Sequence, residues 1–345
     1  MKTNNQNRLL PSAAQYTPKL PYSDLALNLE YIGPALSDPD YFYWCISPID
    51  DKEGKTHLFV SRWKAKHDFG DGMNGWKNIC EIAHCIGDSP EGPFRVVDIP
   101  LNNANMPAGQ FAPHNIRVKE IDGKYCPIYI TQGGPLQKDQ KICLATSDSL
   151  YGPWLLQGEN KDGVVVKATD DDWTANSLLG TDNPDIIKIK DKYFIYFKAG
   201  IDFPSTHYGY AVSERLESGY VKCDQPITDN ISYIEDVNAF EMDGKIYLLT
   251  TDNFGDNSGI RGAGLLWESA DGISFKLADA KIGFGLLSDY TQIPPYATKP
   301  YIGEPKFERP AVLLRDGKPA YFYAASGLNV EGNDATQNFV LKVKS

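Results

Sequence analysis

Five segments of the chain repeat one plan: a polar residue, eight mostly strand-forming residues, a turn residue and a second apolar strand. They read CISPIDDKEGKTHLFVS, HNIRVKEIDGKYCPIYIT, DNPDIIKIKDKYFIYFK, EDVNAFEMDGKIYLLTT and ERPAVLLRDGKPAYFYA. Counted back from Gly54, Gly123, Asp191, Gly244 and Gly317, the polar position lies nine residues upstream each time, and it is held by Cys45, His114, Asp182, Glu235 and Glu308. Repeats of this length imply a radial or stacked architecture. If the units are arranged radially, three acids, a histidine and a thiol converge on one axis.

Each repeat continues after a variable loop into a second hairpin, at 80–98, 142–157, 208–224 and 264–279, with Ser, Asp, Glu and Gly in the turns. Four antiparallel strands in each of five units predict an all-β, five-bladed β-propeller forming a single domain over 29–345, preceded by an N-terminal extension over 1–28. The last repeat supplies only its first hairpin, 308–326, and the strand FVLKVKS. A segment around Leu29–Leu36 is therefore expected to complete the fifth blade and close the ring without a covalent link. The turns inside the first hairpins are expected to be two or three residues, whereas the segments 62–78, 252–262 and 326–337 and the inter-blade stretches 158–181 and 280–307 are long and polar. Long loops on a rigid scaffold mark the working face, and the repeated polar column opens on that end.

The net charge of -11 and the lack of a Lys/Arg cluster exclude a nucleic-acid partner as an expectation. Twenty Tyr and six Trp suit stacking on sugar rings, although tyrosine is also an ordinary strand former. Cys80, Cys85, Cys126 and Cys143 sit in apolar runs and are read as reduced core residues, with no zinc-type spacing among the six cysteines. No apolar run reaches the roughly 18 residues of a membrane span. The first residues, MKTNNQNRLLPSAAQ, lack the apolar core of a signal peptide, which leaves a cytoplasmic protein or an exported one whose leader has been removed. The oligomeric state is left open.

Carboxylates gathered near one axis repel one another, so one is expected to hold its proton while a cation such as Arg309 keeps another ionised. A protonated acid beside an ionised one is the equipment for cleaving a glycosidic bond. The alternative is that Asp182, Glu235 and Glu308 cap inner strands or bind a structural cation.

TDNPDIIKIKDKYFIYFK and IEDVNAFEMDGKIYLL resemble the third and fourth blades of the five-bladed propeller glycoside hydrolases of families 43 and 117. The resemblance covers the repeat plan of nearly the whole chain. In family 43 an aspartate opening blade three tunes the pKa and orients substrate, and a glutamate opening blade four is the general acid, which implies those roles for Asp182 and Glu235. Blade one departs from the family. Where an aspartate base is expected the chain has Cys45, Ile46, Ser47 and Pro48. Asp38, just upstream, is the first replacement considered and Glu308 the second.

His114 and Asn115 open blade two, where the histidine can bind a sugar hydroxyl, move a proton or, with Asp182, hold a calcium or magnesium ion in the central channel. No cofactor is otherwise required. Arg62 and Trp63 end the second strand of blade one at the loop-rich end, where arginine would suit an acidic sugar and tryptophan a ring face. Trp76, Trp173 and Trp267 are weaker stacking candidates. Asn183, Asp236, Arg309 and His207 complete the substrate-binding set, with His67 beside them, whereas His57 and His84 are expected to be structural. Strand alternation predicts that one of Glu308 and Arg309 faces the axis and the other the blade interface. Together these features predict an exo-acting glycoside hydrolase on plant or algal oligosaccharides, with Glu235 neutral at rest and protonating the glycosidic oxygen. The rival is a non-catalytic carbohydrate- or metal-binding propeller. A phosphorylase, which would need a basic phosphate pocket, ranks last.

Overall fold

The computed structural model describes residues 9–65, 75–200, 205–292, 296–297, 306–329 and 335–344. Five antiparallel sheets stand around an axis, and their first strands, Tyr41–Asp50, Phe111–Ile121, Asp182–Ile189, Ile234–Met242 and Glu308–Arg315, each touch the next to form a closed inner ring. Blade one continues outward through Thr56–Lys64, Glu81–Gly87 and Arg95–Leu101. Blade three runs through Lys192–Gly200, Thr206–Ser213 and Val221–Lys222, and blade four through Lys245–Asp252, Gly264–Ser269 and Lys281–Phe284. In blade two the strands Lys124–Gln132 and Lys141–Thr146 are followed by two short pieces, Leu155–Leu156 and Val164–Lys167, that both pair with the third strand. Blade five runs Glu308–Arg315, Lys318–Ser326 and Gln337–Val343, and its outermost strand is Leu29–Leu36. The ring is thus closed by the N-terminal strand, as its sequence position suggested.

The apolar residues explain why the blades stand side by side. Successive side chains along each strand point to the two opposite faces of the blade, and the apolar ones gather into one cluster between every pair of neighbouring blades. Blades four and five share Phe240, Leu249, Phe284, Phe307, Phe322 and Phe339; blades five and one share Leu313, Tyr323, Val340, Tyr43, Leu58 and Val60. Comparable clusters join blades one and two, two and three, and three and four. Cys85, Cys126 and Cys143 pack inside these clusters, and all six cysteines are free. His57 and His84 are also structural: they meet at 2.7 Å between Nδ1 and Nε2, with Asp51 at 3.1 Å on the far nitrogen of His57.

Two expectations about strand placement need correction. The fourth strand of blade four lies at Lys281–Phe284, later than 264–279 implied, because Phe275 is buried between blades and its N–H donates to the Ile227 carbonyl across the gap. The first hairpin of blade one has a five-residue turn, 51–55, between the paired Asp50 and Thr56, whereas the other four have two-residue turns. The segment ahead of the ring is not detached. Residues 9–28 dock on blade four through Ser23 N–H to the Ile282 carbonyl and Ile282 N–H to the Pro21 carbonyl, and a short helix, Asp24–Asn28, capped by the Ser23 hydroxyl, leads into Leu29.

Phe339 sits on the strand that binds the closing strand and is fully buried among Phe307, Phe322 and Leu29. Phe339→Ala is expected to lower the unfolding free energy by about 3–5 kcal/mol, measured by chemical denaturation; a change under about 1 kcal/mol would mean that this interface does not hold the ring.

Candidate active site

Each inner strand begins with an irregularity. The cross-strand pairing slips between His114 and Arg117, Asp182 and Asp185, Glu235 and Asn238, Glu308 and Ala311, and, in blade one, between Tyr43 and Ile46. In blades two to five the residue after the first has a left-handed backbone: Asn115 at φ 54°, Asn183 at 48°, Asp236 at 75° and Arg309 at 56°. Asn and Asp tolerate this region, and the bulge re-aims the chain so that strict alternation fails. As a result both Glu308 and Arg309 line the axial cavity, contrary to the alternation expectation.

Counting from the bulge also corrects the column in blade one. Its longer turn shifts the count by two residues, so the structural equivalent of His114, Asp182, Glu235 and Glu308 is Tyr43, not Cys45. Cys45 is buried, its Sγ donates to the Ile116 carbonyl at 3.2 Å, and it does not line the cavity. Trp44 does.

The cavity has a volume of about 220 Å³ at the loop-rich end of the axis and brings together His114, Asp182, Glu235 and Glu308 from four blades. Asn115, Trp63 and Arg309 from the sequence-derived set also line it, and so does Trp76. The remaining wall is Trp44, Ser61, Gln137, Gln140, Leu179, Lys198 and Tyr233, none of which the sequence singled out. Asn183 and Asp236 lie one layer behind. There the Asn115 amide donates to Asn183 Oδ1 at 2.9 Å, the Asn183 amide donates to Asp236 Oδ1 at 3.1 Å, and Arg309 meets the same oxygen at 2.5 Å.

Five candidates fall elsewhere. Asp38 sits in the turn before blade one, where its carboxylate accepts from Asp40 N–H, and it is not part of the wall. Arg62 is not free for an acidic sugar: it donates to Glu81 at 2.9 Å and lies 4.2 Å above the Tyr41 ring. His207 bonds Ser205 and the Thr228 carbonyl away from the cavity. Trp173 stacks on Phe197, and Trp267 is a core residue whose indole N–H donates to Thr250. His67 lies outside the described residues.

Lys198 organises the charges. It is the cross-strand partner of Asp182, is almost wholly buried, and places its ammonium 2.8 Å from Glu235 and 3.5 Å from Asp182. Glu235 also accepts from Tyr233 at 3.2 Å and from the Asn253 amide at 2.6 Å. Burial alone would raise the Glu235 carboxyl, but Lys198, followed by Arg309, holds it well below the usual carboxylate range. The expectation that Glu235 is neutral at rest therefore fails. Asp182 is the group displaced upward: burial pushes it to about 6, against the pull of Lys198 and Arg309, and its Oδ1 has no hydrogen-bond partner. Burial likewise carries Asp236 up to about 6, still ionised at neutral pH beside Arg309. Glu308 is ion-paired with Lys306 at 2.5 Å. His114 Nδ1 donates to the Ala112 carbonyl at 2.7 Å, and burial pulls the imidazole down to about 4, so its unpartnered Nε2 is an acceptor.

Below the cavity the channel is crossed by side chains. Arg117 from blade two donates to the carbonyls of Ile46, Val237 and Pro310 on three other blades. Lys119 meets Asp185 at 2.9 Å, and Asp185 in turn accepts from Asn238 and Ala239 N–H. Carbonyls that a hard cation would use are taken by a guanidinium. Among the described residues no three His, Cys, Asp or Glu side chains converge as metal ligands. His114 and Asp182 offer two donors next to the Lys198 ammonium, so the residues present do not fit a calcium or magnesium ion.

No protein-family model and no curated protein matches the chain. Solved structures do match. The chain is similar to Zg3597, a family 117 glycoside hydrolase from the marine bacterium Zobellia galactanivorans, at 15% identity and TM-score 0.61 over 95% of this chain and 90% of that one. It is similar to the GH43_1 enzyme from Xanthomonas citri complexed with xylotriose, at 11% identity and TM-score 0.60 over 92% and 91%. CoXyl43, a GH43 beta-xylosidase/alpha-arabinofuranosidase from a compost microbial metagenome, matches at 13% identity and TM-score 0.59 over 91% and 93%. The chain has the fold of these five-bladed propeller glycoside hydrolases, and no helix among the described residues is long and apolar enough to cross a membrane.

Lys198→Met should leave Glu235 buried beside Asp182 with no cation between them, costing about 3–5 kcal/mol of stability, part of which Lys198→Met/Glu235→Gln restores; equal destabilisation by the single and double variants would show that the ion pair does not matter. With Arg117 crossing the channel, chelator or added calcium should leave Tm unchanged within about 1 °C, and a calcium-dependent rise would reveal a cation site that these residues do not explain.

Proposed function

We propose that the protein is an exo-acting glycoside hydrolase in which Asp182, Glu235 and Glu308 divide the acid–base work. The observation that carries this reading is the Lys198-bridged pair of Asp182 and Glu235 at one cavity wall, two carboxylates whose surroundings push their proton affinities apart. Glycosidic cleavage needs one acid that still holds its proton and one carboxylate that does not. Asp182, raised and with its Oδ1 in a long ion pair to Lys198 but in no hydrogen bond, donates the proton to the leaving oxygen. Glu235, held ionised by three donors, stabilises positive charge as it develops on the sugar ring. Of the two bases suggested by sequence, Glu308 is the one that lines the cavity, and in this reading it activates water.

The dimensions favour trimming of chain ends. A cavity of about 220 Å³ holds a single sugar ring, and Trp44, Trp63 and Trp76 supply the aromatic faces on which such rings stack. The similarity to enzymes crystallised with xylotriose supports a carbohydrate ligand, by fold.

Leaving-group dependence separates the roles. Asp182→Asn should lose about 10²–10⁴-fold on alkyl glycosides or oligosaccharides and keep most of its activity on dinitrophenyl glycosides, whose leaving group needs no proton. Glu235→Gln should fail on both. The reverse pattern would transfer the acid to Glu235. Because the acid must be protonated, kcat/KM should fall as the pH rises through about 6, the value to which Asp182 is pushed; a limb that survives Asp182→Asn unchanged would refute that assignment.

A further inference from the structure

We infer that Gln140, together with His114 and Arg309, reads free hydroxyl groups on the bound sugar, so that the cavity selects a neutral, unsubstituted terminal residue and rejects one bearing a carboxylate or a sulfate ester. This rests on the glycosidase reading above and adds the chemical class of the sugar.

The argument starts from hydrogen bonds not made. Buried polar groups are nearly always paired, and each exception needs a reason. Four such atoms on three residues of this one wall have neither a hydrogen bond nor an ion-pair partner: His114 Nε2, both side-chain atoms of Gln140 and Arg309 Nε. Gln140 is only 2% exposed, and its amide has neither a donor nor an acceptor partner within the protein. It follows the short turn Gln137–Asp139 that links the second and third strands of blade two, and its backbone N–H closes that turn on the Gln137 carbonyl. The main chain is thereby fixed while the side chain stays unsatisfied, the arrangement expected of a group kept for a ligand.

The kinds of atom identify the ligand. His114 Nε2 only accepts, because Nδ1 donates to Ala112. Arg309 Nε only donates, and Gln140 presents one donor and one acceptor together. A hydroxyl both donates and accepts, so adjacent hydroxyls can satisfy the whole set. An acidic or sulfated group only accepts, and it would leave His114 Nε2 and Gln140 Oε1 facing its oxygens. Nor, among the described residues of the cavity and its rim, is there a cation to spare. Lys198 is held by Glu235 at 2.8 Å, Lys306 by Glu308 at 2.5 Å and Arg309 by Asp236 at 2.5 Å. An anionic substituent would have to compete with a carboxylate already in place for each of them.

Binding of free monosaccharides tests this without turnover. Ligand-observed NMR titration of the full chain with L-arabinose, D-xylose, D-galactose, D-galacturonate and galactose 6-sulfate should show at least one neutral sugar binding about 10-fold or more tightly than either anion. Gln140→Met, similar in length and without a strong donor or acceptor, should weaken that sugar about 10-fold while the variant's Tm stays near that of the parent. Preference for galacturonate or the sulfate overturns the inference, whatever the variant does, and so does unchanged affinity in a folded Gln140→Met. If no sugar binds the parent protein, the glycosidase reading falls with it, an outcome distinct from a sugar that binds without heeding Gln140.

Discussion

A belt of side chains behind the cavity holds the acids in place. The left-handed residue inside the bulge of blades two to five points its side chain around the axis, and Asn115, Asn183, Asp236 and Arg309 join those blades in an unbroken series of contacts between 2.5 and 3.1 Å. Asp236 collects the Asn183 amide, the Thr251 hydroxyl, the Arg309 main-chain N–H and its guanidinium. Three carboxylates and a histidine on separate sheets would otherwise drift with every change in blade tilt. Because the belt residue is covalently next to the column residue in every case, fixing one fixes the other. A left-handed arginine is unusual, and the local strain at Arg309 is offset by its two contacts with Asp236.

The belt stops at blade one, where Tyr43 and Trp44 occupy the equivalent places. That gives the cavity two unlike halves. Blades two to five supply a charged, hydrogen-bonded floor, and blade one supplies an aromatic wall of Trp44 and Trp63, with Trp76 packed at 4.9 Å against His114. A sugar has the same asymmetry, with apolar C–H faces and polar hydroxyl edges. Of the residues by which blade one departs from the repeat, Trp44 is the one that joins this aromatic wall.

Much of this was legible from period alone. Register plus strand count gives the five blades, the closing strand at Leu29–Leu36 and the meeting of Asp182, Glu235, Glu308 and His114, because one side chain at a fixed place in each unit must converge when the units are radial. What failed did so for local reasons. Counting from Gly54 landed on Cys45 because turn length, unlike strand pattern, varies between blades, and Glu308 and Arg309 both reach the cavity because a bulge cancels alternation. Lys198 was missed although it carried a signal: it is the lone charge at the end of the apolar run YFIYF, and hairpin pairing from the turn at 190–191 sets it opposite Asp182. Gln140 carried none, since a polar residue in a loop looks the same whether it faces water or a ligand.

Arg117 determines what the axis can be used for. A propeller leaves a hole through its centre, and here the guanidinium ties the carbonyls of blades one, four and five together from blade two, while the Lys119–Asp185 pair lies beside it. A fixed organic cation does there what a bound metal would do, joining strands that do not pair with one another, yet it cannot dissociate or exchange. It also closes the cavity from below. Among the described residues the aromatic wall, the acids and the unsatisfied Gln140 amide all lie on the loop-rich side of that guanidinium, so whatever enters the cavity meets them together.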